Sequence, residues 1–294
     1  MIESAARARG RAKQEIIARV PGLRTLALNG YRLRLKNFEP HLPVLPPARL
    51  ALVREVQARG VAVTSLDVLD LPGTDDLKSG TTALIDHLAD SARAGTATVG
   101  VPRASVLGCP AVWQWGLNGE LLDMVEHYLG QPARYLGAGV RCERATGQAF
   151  GVRQWHRDVE DHRMLKLLVW LNDVDEHGGP FEYVDRNWTP DLTRSMRYIS
   201  GFVGDEEVAR RVPQAEWRRA TGPTWTCVVT DPRNVFHRAM PPTKHDRYSL
   251  TFAYTSRSPI RTMPWRAISE RERQLATKGL DDRQLGCLPG AYTR

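Results

Sequence analysis

The stretch Gln154-Trp155-His156-Arg157-Asp158 carries the first hint of chemistry. In a strand, side chains at i and i+2 point to the same side, so His156 and Asp158 could share one cation. A distant second His would complete a set of two imidazoles and one carboxylate, which leaves three positions open on iron. Two open positions suit a bidentate 2-oxo acid and one suits dioxygen. The triplet alone decides little. With eight His and 33 acidic residues in 294, about one His-x-acid triplet is expected by chance. The bland alternative is a strand-edge His hydrogen-bonded to a nearby carboxylate.

His237 is placed to be the second imidazole. It follows the run Trp225–Thr230 and the turn Asp231-Pro232-Arg233-Asn234, on a different strand from the triplet. His41, His87, His127, His162, His177 and His245 have no comparable context. Beyond His237, Arg247-Tyr-Ser-Leu-Thr-Phe-Ala-Tyr254 alternates cleanly. Tyr248, Leu250, Phe252 and Tyr254 face one way; Arg247, Ser249, Thr251 and Ala253 face the other. An Arg heading a small, polar, inward row is costly unless it meets an anion. The distal carboxylate of a dicarboxylate would take its planar fork, with the Ser249 hydroxyl as a further donor. A surface ion pair is the alternative for this Arg.

These residues need a scaffold. From Ala133 onward the chain reads as short strands between turns: Ala133–Glu143, Phe150–Asp158, Met164–Asn172, Phe181–Val184, Thr224–Thr230 and Arg247–Thr255, with His177-Gly-Gly-Pro180 and Asp231-Pro232 as punctuation. That spacing predicts an antiparallel sandwich or barrel. Before it, the spacing predicts helices over 3–20, with Ser4 as cap and Pro21-Gly22 as stop, over Pro47–Arg59 closed by Gly60, over 81–93 and over Gly119–Leu129. A short strand, Val61–Thr64, follows Gly60. The tail returns to helix over Ser269–Gln284, with Ser269 and Glu272 at capping-box spacing. The expected class is mainly β with flanking helices. The expected organisation is a basic helical arm over 1–40, the domain that carries these residues over 41–260 and a helical tail over 261–294 packed on the core.

In order along the chain, Trp155-His-Arg-Asp158, Leu168–Val184 with its Gly-Gly-Pro-Phe-Glu-Tyr-Val run, Val235-Phe-His237 and Asp246-Arg-Tyr-Ser249 resemble the phytanoyl-CoA dioxygenase-like branch of the Fe(II)/2-oxoglutarate oxygenases. The resemblance covers about residues 45–260. It implies a double-stranded β-helix (jelly-roll, cupin-like) core, Fe(II), 2-oxoglutarate as cosubstrate and dioxygen. It implies His156, Asp158 and His237 as iron ligands, Arg247 with Ser249 as the 2-oxoglutarate clamp, and Trp170 near the cosubstrate. Related halogenases carry Gly or Ala in place of the carboxylate, so Asp158 implies hydroxylation; desaturation and ring closure use the same triad. One departure concerns the substrate. The family commonly continues into Pro-Gly-Ser-His where this chain has Asp185-Arg-Asn-Trp188, so the substrate is not inherited. Residues 185–219, with Trp188, Tyr198, Phe202 and Trp217, are the expected substrate-side insert.

Composition sets the outer limits. Hydrophobic content of 42% and charged content of 25% are ordinary for a globular chain. No apolar run approaches the roughly 18 residues that span a bilayer, and no secretory leader is read at the N-terminus. The expected location is cytoplasmic, with a peripheral position at the inner membrane face as an extension. Cys109, Cys142, Cys227 and Cys287 lack metal or redox spacing and read as reduced core thiols. The net charge is +8, and nine Lys or Arg against two Glu in residues 1–36 account for nearly all of it. That arm suits an anionic membrane surface or an acidic substrate carrier, through charge rather than insertion. With Tyr31 and Phe38 its only aromatic residues, nucleic acid is a poor fit. The expected substrate is a small organic or lipid- or sugar-linked molecule. The alternative from another class is a cupin-like metal-binding protein, non-catalytic or independent of 2-oxoglutarate. Oligomeric state has no sequence signal.

Overall fold

The computed structural model describes residues 21–90, 96–261 and 268–293; the helix expected over 3–20 lies outside them. Helix α1 spans Pro21–Phe38, α2 Pro47–Arg59, α3 Thr74–Asp90 and α4 Gly119–Leu129. The strands are β1 Val61–Ser65, β2 Thr98–Gly100, β3 Ala133–Glu143, β4 Leu165–Trp170, β5 Phe181–Val184, β6 Trp217–Ala220, β7 Thr226–Thr230, β8 His237–Ala239 and β9 Arg247–Ser256. They form two antiparallel sheets: a six-stranded one in the order β1-β7-β4-β9-β3-β2 and a three-stranded one in the order β6-β5-β8. Val61, Trp170 and Val228 of the large sheet pack with Phe181, Tyr183 and Ala220 of the small one, so the sheets face each other as a jelly roll.

Alternation decides what each face of the large sheet meets. Leu165, Leu167 and Val169 of β4 and Leu250, Phe252 and Tyr254 of β9 join one core with Trp113, Trp115, Leu121 and Val125 from the helical side. Phe252 lies 4.9 Å from Trp115, and Tyr135 lies 5.3 Å from Tyr254. Burying one such ring contributes about 1.5–3 kcal/mol. The opposite parity, Lys166, Leu168, Ser249, Thr251 and Arg247, lines the space between the sheets. Register enforces this, with Trp170 opposite Ser249 and Arg141 opposite Ser249 from the other side.

Helix α2 starts at Pro47, whose missing N–H is needed by no helix bond, and ends at Gly60 in the left-handed region (φ 86°). Gly60 is required twice. A side chain there would be strained, and a Cβ would lie 2.2 Å from the Val235 methyl. Asn118 caps α4 by accepting from the amides of Glu120 and Leu121. The tail carries the expected box: Ser269 accepts from the Glu272 amide and Glu272 accepts from the Ser269 amide, opening α5, Glu270–Thr277.

Two elements differ from expectation, and helix α1 adds contacts that no sequence pattern shows. Phe150–Asp158 is no strand: Gly151–Arg153 forms a 3-10 turn and only single bridges, at Trp155 and His156, tie the segment to its neighbours. Its Arg153 turns inward to a buried ion pair with Glu143 (Nη2–Oε2 2.8 Å), and Gly147 and Gly151 take positive φ. Alternation therefore gave way to a charge that had to be paired. The basic stretch before Lys36 is helix α1, which lies on the body: Tyr31 stacks on His162 (4.1 Å) and Arg34 donates to Gln131 (3.1 Å). The helix expected over 81–93 begins at Thr74.

Candidate metal centre and anion cavity

His156 and His237 face each other across an antiparallel bridge, each donating its amide to the other's carbonyl at 2.9 and 3.0 Å. Opposed residues of such a pair project to the same side, which brings the rings to 4.3 Å between centroids. Asp158 is fixed by its amide, which donates to Pro232 O at 2.9 Å, inside the turn that leads to β8. That turn is built by buried Asp231, which accepts from the amides of Met164 and Arg233 and from the hydroxyl of Tyr128. The strand parity expected for His156 and Asp158 is thus replaced by one bridge and one turn.

The result is a convergent ligand set. One atom each from His156, Asp158 and His237 lies within 4.8 Å of the others. The Nε2 atoms of His156 and His237 are 3.7 and 3.9 Å from Asp158 Oδ1. Each Nδ1 meets a backbone carbonyl, Gln154 O at 2.9 Å and Val235 O at 3.3 Å. A ring whose Nδ1 donates carries its lone pair on Nε2, the form that binds metal. Burial pulls both imidazoles below their ordinary value, His237 to about 3 with His156 adding to the effect. Burial alone would raise the Asp158 carboxyl, but Lys166, His237 and His156 outweigh it and bring it to about 2. Two neutral imidazoles beside one carboxylate suit a divalent cation. Lys166 pairs with Asp158 Oδ2 and leaves Oδ1 facing the histidines. Sequence reasoning missed Lys166; its signal was a lone Lys at an inward position of the apolar run β4.

Beside the triad is a cavity of about 130 Å³, lined by Arg141, Leu168, Arg247, Ser249 and Thr251 among others. Arg247 is 4% exposed, and its Nε and Nη1 have no hydrogen-bond partner. Burial lowers its pKa to about 10, only partly offset by Glu143. An orphaned buried guanidinium is expensive, and an anion in the cavity is what would satisfy it. Ser249 lines the same cavity. Trp170 stands behind the guanidinium, with Arg247 5.4 Å from its ring and its indole N–H donating to Ala220 O at 3.1 Å. It braces Arg247. Of the insert, Phe202 reaches the site, 52% exposed and edge-on to His156 at 5.4 Å. Trp188, Tyr198 and Trp217 pack instead with Trp155, Leu192 and Phe236.

No family model matches this chain, and no curated protein matches it. Solved structures do. EctD from S. alaskensis with 2-oxoglutarate and 5-hydroxyectoine aligns with a TM-score of 0.50 and 18% identity, over 73% of this chain and 82% of that one. What the two chains share is the fold, two facing antiparallel sheets of the jelly-roll type. AviO1 from Streptomyces viridochromogenes (TM-score 0.49, 18% identity, 73% and 98% covered) is also similar. So is the non-haem α-ketoglutarate-dependent carbocyclase SnoK of nogalamycin biosynthesis (0.49, 13%, 73% and 88%). The fold places the two sheets, and this chain's own residues fill the space between them. No helix among the described residues is long and apolar enough to cross a membrane.

Proposed function

We propose that this chain is a non-haem Fe(II)- and 2-oxoglutarate-dependent dioxygenase that hydroxylates an unactivated C–H bond of an organic substrate. The observation that carries this reading is the orphaned Arg247 guanidinium in the same cavity as the His156, Asp158 and His237 ligand set. A metal site without a 2-oxo acid has no use for that cation. Bound Fe(II) supplies dioxygen activation coupled to oxidative decarboxylation of 2-oxoglutarate to succinate and CO2. The protein's part is placement: Arg247 and Ser249 hold the distal carboxylate, and Trp170 braces the guanidinium from behind. Lys166 keeps Asp158 ionised. A carboxylate at Asp158 favours hydroxylation over halogenation. Arg141 lines the cavity too, which suits an anionic substrate, and exposed Phe150, Val152 and Phe202 offer apolar surface to its remainder.

The test is succinate release from 2-oxoglutarate by the purified chain with Fe(II) in air, against His237→Ala and Asp158→Ala. Turnover lost in both variants supports the reading. Metal binding without succinate, whatever substrate is supplied, would favour the cupin-like binding protein instead. For the arm, charge supports docking on an anionic surface. Because Tyr31 packs on the body, the informative deletion is residues 2–20. It should abolish low-salt co-sedimentation with anionic liposomes, and unchanged sedimentation would contradict docking.

A further inference from the structure

A second cleft, of about 490 Å³, is lined by Arg157, Arg186, Arg194, Thr189, Thr193 and Asn234. Arg157 stands in sequence between the two ligands His156 and Asp158 but turns to a different set of groups. Its Nε donates to Arg233 O at 2.7 Å and its Nη1 to Thr193 Oγ1 at 2.8 Å. Its guanidinium also lies 5.8 Å from the Phe236 ring. Arg186 donates to Gln57 O at 2.8 Å. Among the described residues neither makes an ion pair, and no carboxylate lines the cleft. Arg194 meets Asp191 at 2.9 Å, with both side chains mostly in solvent, so that pair opens at little cost.

The hydroxyl of Thr189 is an independent sign of a ligand. Thr189 is 4% exposed, it lines the cleft, and its Oγ1 has no hydrogen-bond partner. An unused buried hydroxyl beside two guanidiniums that make no direct ion pair describes a site short of an acceptor with several oxygens. A carboxylate occupies one guanidinium fork. A phosphoryl group offers three or more oxygens and can engage several forks at once. Asn234 spends its amide N–H groups on His162 O and Asp231 Oδ2, which leaves its carbonyl oxygen to accept from a hydroxyl. We propose that this cleft is a binding site for a phosphate-bearing anion, separate from the cavity that holds Arg247.

Calorimetric titration of the full chain with inorganic phosphate, and separately with glucose 6-phosphate against glucose, tests this. Saturable binding of either anion, weakened about tenfold or more in Arg186→Ala/Arg194→Ala, is the expected result, since each lost charge-assisted bond is worth about that much. Both side chains are exposed enough for the variant to fold, and its melting temperature checks that. Binding of phosphate alone identifies the free anion as ligand; binding of the ester alone identifies an organic phosphate. Either anion retained by that variant but lost in Arg247→Met would place it in the barrel cavity and overturn the proposal. So would no saturable binding of either anion.

Discussion

Two buried arginines make opposite predictions. Arg153 is 1% exposed and gives Nε and Nη2 to Glu143 Oε2 at 3.0 and 2.8 Å. Arg153→Met would strand a buried carboxylate, and chemical denaturation should show a loss of about 3–5 kcal/mol. Arg247 has no such partner. Arg247→Met should leave the metal-free chain as stable as the parent or more so, because an unpaired buried charge is replaced by an apolar chain of similar length. The same variant should raise the KM for 2-oxoglutarate by about 10- to 150-fold, from roughly 1.5–3 kcal/mol of lost charged hydrogen bonds. A large stability loss there would show that Arg247 serves the fold. Arg247 was legible in the sequence because strand alternation put it in a polar inward row. Arg153 was not, since its partner Glu143 lies on another strand and its own segment abandons the strand pattern.

At the scale of elements, the segment 154–158 is held by its neighbours rather than by a ladder of its own. Arg238, adjacent to His237, lies over Trp155 at 5.1 Å and Trp217 at 5.6 Å and pairs with Glu182 and Asp205. The insert is thereby tied to the strand that carries His237. The insert 185–219, expected to border the substrate, has a structural role: part of it locks β8 in place. The α2–β1 corner acts on the same strand through Gly60 and Val235. Gly60→Ala should destabilise the chain by about 1–3 kcal/mol through overpacking alone, with added strain from the left-handed backbone. Because Val235 is two residues before His237, the variant should also release Fe(II) faster to a chelator. A parent-like urea midpoint would show that the corner relaxes freely. Helix ends and most strands were readable because caps, Pro and Gly mark them locally. The bridge between His156 and His237 was not, because it depends on groups far apart in the chain.

For the whole molecule, pH is the lever. His237 is held at about 3 and His162 at about 4, both chiefly by burial, with His156 lowered as well. Unfolded histidines take up protons near pH 6.5, whereas these stay neutral when folded, so the unfolded chain binds more protons below that pH. Their contribution to stability is complete above about pH 6.5 and is lost as pH falls toward their folded values. Glu160, Asp161 and Asp231 have raised values and act in the opposite sense. The histidine contribution begins to fall away from about pH 7 to 5.5. The urea midpoint of the metal-free chain should fall across that range, and a flat or rising midpoint would contradict the neutral, buried state of these rings. At this scale strand spacing and turn residues made an antiparallel sandwich or barrel legible, and the resemblance narrowed it to a jelly roll. The lie of α1 on the body was not, because its contacts, Tyr31 on His162 and Arg34 on Gln131, join residues that share no local pattern.

The central claim is that one Fe(II) and one 2-oxo diacid occupy the space between the sheets together. Crystals grown without oxygen, with ferrous ion and 2-oxoglutarate, test it directly. The account predicts an ion bound by Nε2 of His156, Nε2 of His237 and Oδ1 of Asp158, chelated by the keto acid, with the far carboxylate on Arg247 and Ser249. An ion bound elsewhere, or an Arg247 that touches no carboxylate, would contradict it.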